Sequence, residues 1–327
     1  MRLVVLAGGY GGARFLRGLR HAAPDAHITA VVNTGDDITL HGLRVCPDLD
    51  TVMYTLGGGL DEQRGWGRAD ESFSIRAELD AYGVGPAWFG LGDRDIATHL
   101  VRSQMLDAGY PLSDVTRALC RRWQPGVEIL PMSDDRVETH VVVDLPGATP
   151  EGGRRAIHFQ EWWIRHHAAL PAQAFLPVGA SDAKPAPGVL DAIADADAVL
   201  LPPSNPVVSV GIVLAVPGIR DAVLAVDGPV VGVSPIVGGA PLRGMADACL
   251  AAIGVPVTAE GVGRHYGARG TPGADGLLDA WLVDAGAADA GADVPGVTVA
   301  VRPLLMPDVP AATALAAATL EVVDALR

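Results

Sequence analysis

Two strand-to-loop junctions in the first sixty residues constrain this chain more than any other feature. The apolar run Leu3-Val4-Val5-Leu6-Ala7 opens into Gly8-Gly9-Tyr10-Gly11-Gly12. The run Ile28-Thr29-Ala30-Val31-Val32 opens into Asn33-Thr34-Gly35-Asp36-Asp37. Short runs of continuous apolar, β-branched residues suit strands buried on both faces, as in a parallel sheet. Between them, Ala13 to Ala23 puts Phe15, Leu16 and Leu19 on one helical face and arginines outside. Strand, loop and helix then recur along the chain. The pattern predicts an α/β fold with a mostly parallel sheet and helices on both faces. In such sheets ligands sit beyond the carboxyl ends of the strands, where both loops lie.

Further elements follow from the same patterning. Residues 48–60 read as a short helix capped by Asp48 or Asp50. Residues 61–125 are helix-rich, with helices over Ser72–Tyr82, Asp95–Ala108 and Ser113–Trp123, and read as a helical cap inserted in the core. Thr139–Asp144 and Arg155–His158 form a hairpin, and Ala198–Leu201 and Val230–Val233 are short strands. Residues 285–296 make a surface loop, and Ala311–Leu326 is an Ala-rich helix with Asp308 as its cap. With no internal repeat and no linker, residues 1–327 read as a single domain.

Composition narrows the function classes. The 327 residues carry a formal net charge of −14. This argues against nucleic acid as a partner, because such binding needs a basic face. An anionic substrate therefore needs local cations or backbone dipoles. Cys46, Cys120 and Cys249 are far apart and lack C-x-x-C pairing, which fits a reducing compartment without disulfides or a zinc site. No signal-type apolar stretch precedes the first strand, and apolar runs break well short of a membrane span. The expectation is a cytoplasmic protein with no membrane partner.

The glycine loop exposes backbone N–H groups at a helix start, which suits a phosphate; Gly9, Gly11 and Gly12 are the candidate contacts. It departs from the dinucleotide fingerprint, since Arg14 stands where the third glycine belongs. Asn33 also replaces the acid expected at a ribose. The four carboxylates Asp36, Asp37, Asp48 and Asp50 suit a divalent cation. Mg²⁺ takes one or two carboxylates and completes its shell with water and phosphate, and Asp37 and Asp50 supply one ligand from each loop. The same residues also fit capping and turn roles. In Gly92-Asp93-Arg94-Asp95, Asp95 can cap a helix and free Arg94 to meet an oxyanion or a ring. Ser204-Asn205-Pro206 follows a strand, where a nucleotide base can meet Ser204 and Asn205; the alternative is an Asn-Pro turn. His158-Phe159-Gln160-Glu161-Trp162-Trp163 offers either a floor for a flat ring or ordinary core packing.

Taken in order, these segments resemble the CofD/FbiA transferases of deazaflavin coenzyme F-420 biosynthesis. The resemblance rests on Gly8–Gly12, Asn33–Asp37, Cys46–Thr51, Leu91–Asp95, Pro131–Arg136, His158–Trp163, Ser204–Ser209 and Ser234-Pro235-Ile236, and runs to about residue 285. Thr34 departs from the apolar residue the family often places there. The resemblance implies a Rossmann-like three-layer fold, a magnesium-dependent transfer and a homodimer. The implied acceptor is the ribityl hydroxyl of the deazaflavin Fo, and the implied donor is a guanosine diphosphate ester of a three-carbon acid, with GMP leaving. The actinobacterial branch, which this chain is most similar to, implies enolpyruvyl-diphospho-5'-guanosine; archaeal relatives imply the lactyl ester. Asp37 and Asp50 are then catalytic metal ligands, Asp50 and Arg94 contact Fo, and Gly9, Gly11, Gly12, Asn33, Ser204 and Asn205 hold the nucleotide and its phosphates. Two rivals remain: a YvcK-like nucleotide-sugar-binding regulator, disfavoured by Pro47–Asp50 and Gly92–Asp95, and a nicotinamide-dependent dehydrogenase, disfavoured by Arg14 and Asn33.

Overall fold

The computed structural model describes residues 1–145, 153–270 and 275–327. The chain runs through β1 (Arg2–Ala7), α1 (Gly9–Ala22), β2 (His27–Val32), β3 (Ile38–Leu40), β4 (Leu43–Val45) and α2 (Pro47–Leu56). Three helices follow, α3 (Ser74–Ala81), α4 (Asp93–Asp107) and α5 (Leu112–Trp123), then β5 (Glu128–Pro131), β6 (Glu138–Leu145), β7 (Gly153–His158) and β8 (Ala172–Val178). The remainder is α6 (Val189–Ala194), β9 (Ala198–Leu201), α7 (Val210–Ala215), α8 (Ile219–Ala225), β10 (Val230–Val233), β11 (Ile236–Val237), β12 (Ala240–Pro241), α9 (Ala246–Ala252), α10 (Ala259–Tyr266), β13 (Ala280–Asp284), β14 (Thr298–Arg302) and α11 (Val309–Leu326).

Seven strands form one parallel sheet in the order β14-β13-β10-β9-β1-β2-β5. Alternation along each strand divides the core in two. Leu3, Val5 and Ala7 pack with Phe15, Leu16 and Leu19 of α1 and Leu315 and Ala316 of α11. Val4 and Leu6 pack on the other face with Ile193, Val213, Ile219 and Val223. Helices thus cover both faces, giving the three layers expected. α11 is long and apolar enough to cross a membrane by length and composition, yet Ala312, Leu315, Ala316, Thr319, Val322 and Val323 are buried. Asp308 caps it through Ala311 N at 2.8 Å, as expected.

The topology positions the site. From β1 the chain moves outward through β2 to β5, then returns to β9 on the other side of β1 and continues outward to β14. The β1/β9 junction is therefore the switch point, where diverging loops leave a crevice at the strand ends. The glycine loop ends β1 and Pro202–Pro206 ends β9. A separate antiparallel sheet, β7-β6-β8, stands beside this crevice.

Some boundaries differ from the sequence reading. α1 starts at Gly9, so the glycines form its first turn. Cys46, not an aspartate, occupies the N-cap position of α2; Asp48 and Asp50 lie inside its first turn. Within 61–125, α5 joins the main core through Leu112. α4 packs over β3 and β4 with Leu40, Val45, Leu91 and Ile96, and α3 buries no residue.

Candidate active site

The glycines have distinct local reasons. Gly9 has φ +63, a conformation that costs a side chain about 1–2 kcal/mol. Gly11 and Gly12 are pressed by the β9 loop: a Cβ on Gly11 would strike the Pro203 carbonyl oxygen, and one on Gly12 would lie 2.7 Å from Ser204 Oγ. Ser204 is buried and stitches the two loops together. Its hydroxyl donates to Gly8 O at 2.8 Å and accepts from Gly8 N at 3.3 Å. Asn205 Oδ1 accepts from the backbone of Val207 and Val208, forming a turn of its own.

The acidic loop is tied to the same place. Asn33 is buried; its Nδ2 donates to Asp48 Oδ2 at 2.9 Å and to Val208 O at 3.3 Å, and its Oδ1 accepts from Gly35 N. Asp48 also accepts from the Gly9 N–H, so it braces the glycine turn. Burial pushes its carboxyl up to about 6. Burial, and then the charge on Asp48, raises Asp36 well above the usual carboxylate range.

Asp37 and Asp50 share one arrangement. One oxygen of each is held by an arginine: Asp37 Oδ2 by Arg44 Nη2 at 3.3 Å, Asp50 Oδ1 by Arg102 Nη2. The other oxygen, Asp37 Oδ1 or Asp50 Oδ2, is buried without a partner. Burial raises Asp37 to about 7 against the pull of Arg44. Burial likewise raises Asp50, opposed by Arg102 and His99. An unpartnered buried carboxylate oxygen is costly; with Asp36 Oδ1, likewise unpartnered, these are the hard oxygen donors that Mg²⁺ takes. Asp50, Asp95 and His99 also present atoms within 4.8 Å of one another. In that trio His99 Nδ1 faces Arg102 Nη1 at 3.0 Å, while Nε2 is unpartnered 3.5 Å from Asp95 Oδ2.

Around Asp37 lies a polar rim whose contacts sequence reasoning did not assign, though it named His158 and Arg136. His158 Nε2 is 3.2 Å from Asp37 O, and Glu138 lies between Arg44, Arg136 and His140. Tyr10, in the glycine turn, has the guanidinium carbons of Arg14 and Arg243 5.2 and 4.5 Å from its ring centroid. These cations supply locally what a chain of −14 lacks overall. Sequence spacing puts Asp95, Thr98, His99 and Arg102 on one face of α4, but only the fold shows that this face is buried against the aspartates.

The other expected residues go elsewhere. Asp95 does not cap α4. Gly92 holds that position and Asp95 turns inward to Tyr54 OH at 2.7 Å. Arg94 is exposed at the start of α4, its side chain 3.5 Å from Ala69 O. Phe159 and Trp162 are core residues against Val141 and Val143, leaving Trp163 partly exposed. Asp134 accepts from Ser113 N at the start of α5. An apolar cavity of about 180 Å³ beneath α3 is lined by Leu43, Ile75, Leu79, Phe89 and Ile96 and by none of the four aspartates.

A parallel sheet with helices on both faces, a switch-point crevice and a helix-starting glycine turn define a Rossmann-like α/β protein. The solved structures agree on the fold alone: a member of the UPF0052 family from Bacillus halodurans superposes with a TM-score of 0.61 at 17% identity, covering 98% of this chain and 99% of that one. The chain belongs to the CofD family, whose model, described as 2-phospho-L-lactate transferase CofD, matches residues 3–294. It is 62% identical to the phosphoenolpyruvate transferase of Streptomyces griseus, with all of both chains covered. It is also 62% identical to the proteins of that name from Streptomyces coelicolor and Thermobifida fusca, over 100% of this chain and 99% of theirs.

Proposed function

We propose that this chain transfers the phosphoenolpyruvyl group of enolpyruvyl-diphospho-5'-guanosine to the ribityl hydroxyl of Fo, giving dehydro-F-420-0 and GMP. The hydroxyl oxygen bonds to the phosphorus that carries the enolpyruvyl ester. The bond from that phosphorus to the bridging oxygen breaks, GMP leaves with the electron pair, and the hydroxyl proton is released. The observation that carries the reading is the pair of buried free oxygens, Asp37 Oδ1 and Asp50 Oδ2, beside the glycine turn. The activity named for the Streptomyces relatives, matched almost end to end, supports the choice of phosphoenolpyruvyl group.

In this reading the first turn of α1, with Gly9, Gly11 and Gly12, directs its dipole at the donor phosphates. Asn33 and Ser204 hold the two loops in register, and Asn205 lies on the guanosine side. Asp37 and Asp50 would hold Mg²⁺, whose chemistry is to neutralise charge on the diphosphate. Asp50 also orients the attacking hydroxyl, and the exposed Arg94 contacts Fo. The protein works as a cytoplasmic homodimer, which sedimentation of the purified chain checks.

The test is to incubate the full chain with Fo, magnesium and each guanosine donor, then read product masses. Enolpyruvyl product is the expected result. Lactyl product alone keeps the transfer and overturns the donor. Absence of product with either donor, from folded protein, overturns the reading.

A further inference from the structure

Arg102 is a charged side chain only 1% exposed, and every partner it has is fixed. Its guanidinium donates to Asp50 Oδ1, to the Arg44 carbonyl oxygen at 3.2 Å and to His99 Nδ1 at 3.0 Å. A guanidinium has donors and no acceptor, so His99 Nδ1 must be the acceptor. The proton of the neutral ring then sits on Nε2, which faces Asp95 Oδ2 at 3.5 Å. Asp95 is anchored in turn by Tyr54 OH at 2.7 Å. Hydrogen bonds therefore hold Arg102 from two sides, His99 Nδ1 and the Arg44 carbonyl, while Asp95 lies near His99 Nε2 without bonding it. Arg102 in turn holds one oxygen of Asp50; the other, Oδ2, has His99 Nδ1 3.7 Å away but no hydrogen bond.

We propose that Arg102 is a positioning residue for the transfer: held by His99 and the Arg44 carbonyl, it fixes the Asp50 carboxylate so that Oδ2 stays available to the metal-bound donor. The proposal rests on the metal role given to Asp50 above. Three separate acceptors define the plane of the guanidinium, which an ammonium group cannot reproduce. A plain ion pair between α2 and α4 would need the charge only. Positioning needs the geometry.

The experiment titrates magnesium chloride calorimetrically into the full chain saturated with GDP, and measures turnover in parallel. Wild-type protein that takes up no magnesium overturns the metal reading itself, before any variant is made. With wild-type binding established, Arg102→Lys should fold with a wild-type circular dichroism spectrum. It should weaken magnesium about 10–100-fold, the usual cost of disturbing a group that orients a metal ligand. His99→Leu, which removes the acceptor, should weaken it about tenfold. His99→Gln, which can offer an oxygen in its place, should restore it to within threefold of wild type. The His99 pair decides the matter should Arg102→Lys fail to fold. Folded Arg102→Lys or His99→Leu protein with a magnesium Kd within twofold of wild type overturns the proposal.

Discussion

The contact between Gly12 and Ser204 permits a quantitative prediction. In Gly12→Ala the new Cβ would lie 2.7 Å from Ser204 Oγ and 3.2 Å from Ala7 Cβ. Ordinary contact begins near 3.4 Å, so the hydroxyl must move by roughly 0.7 Å. It cannot do so and keep its bonds to Gly8 N and O. Losing that buried pair costs about 1–3 kcal/mol, and overpacking adds about 1–3 kcal/mol. The better helix propensity of alanine in α1 returns up to about 1 kcal/mol. Gly12→Ala should therefore destabilise by about 1–6 kcal/mol. Ser204→Ala alone loses only the hydrogen bonds, about 1–2 kcal/mol. The double variant should cost no more than Ser204→Ala, because the methyl group fills the space the hydroxyl leaves. Urea denaturation of the four proteins measures the cycle. Additive costs would refute the reasoning and leave Gly12 a glycine for some reason other than the β9 loop.

Other consequences are equally direct. Asp50→Ala strands the buried Arg102 cation, so it should abolish turnover and cost about 3 kcal/mol of stability. Asp50→Ala with Arg102→Met should recover much of the stability and none of the turnover, as read by denaturation and product assay. Asp37 has its carboxyl at about 7 against an ordinary 3.8, so the folded state binds that proton more tightly than the unfolded state. Stability of the metal-free protein should be fully present below about pH 4 and lost as pH rises to about 7, on the order of 4 kcal/mol for this group. Denaturant melts at pH 5 and 8 check the sign, and equal midpoints would contradict it. Gly18 of α1 lies against the Ala312 backbone, with Thr313 N 2.9 Å from where a Cβ would be. Gly18→Ala should push α11 away and cost about 1–3 kcal/mol in thermal melts.

The sequence carried the central architecture because parallel strands announce themselves as apolar runs. β1, β2, β9 and β10 fall where Arg2–Ala7, His27–Val32, Ala198–Leu201 and Val230–Val233 predicted them. β8 escaped notice, since Ala172–Val178 alternates irregularly and carries Pro177. β13 and β14 were missed as well, lying beside loops rich in glycine and alanine. At the site, loop residues were legible because glycine and aspartate are unusual beside strand ends. Arg44, His99 and Arg102 were not, because their meaning depends on α4 crossing β4 and α2, a tertiary fact. Asp95 shows the same limit. As a capping residue it fitted local rules, but burial beside Tyr54 and His99 decided its orientation.

The switch between β1 and β9 also has a consequence for how the protein comes into being. Gly8 and Ser204 are hydrogen-bonded neighbours 196 positions apart. Chain closure over such a distance comes late, because its entropy is lost before the contact is made. A nascent chain halted before β9 would already contain the whole glycine loop and Asp36, Asp37, Asp48 and Asp50, yet the Pro203 carbonyl and Ser204 that press on Gly11 and Gly12 would be missing. Chemical competence would thus arrive only with the β9 loop, well past the middle of the chain, and an amino-terminal fragment of this protein would carry its acids without its complete site.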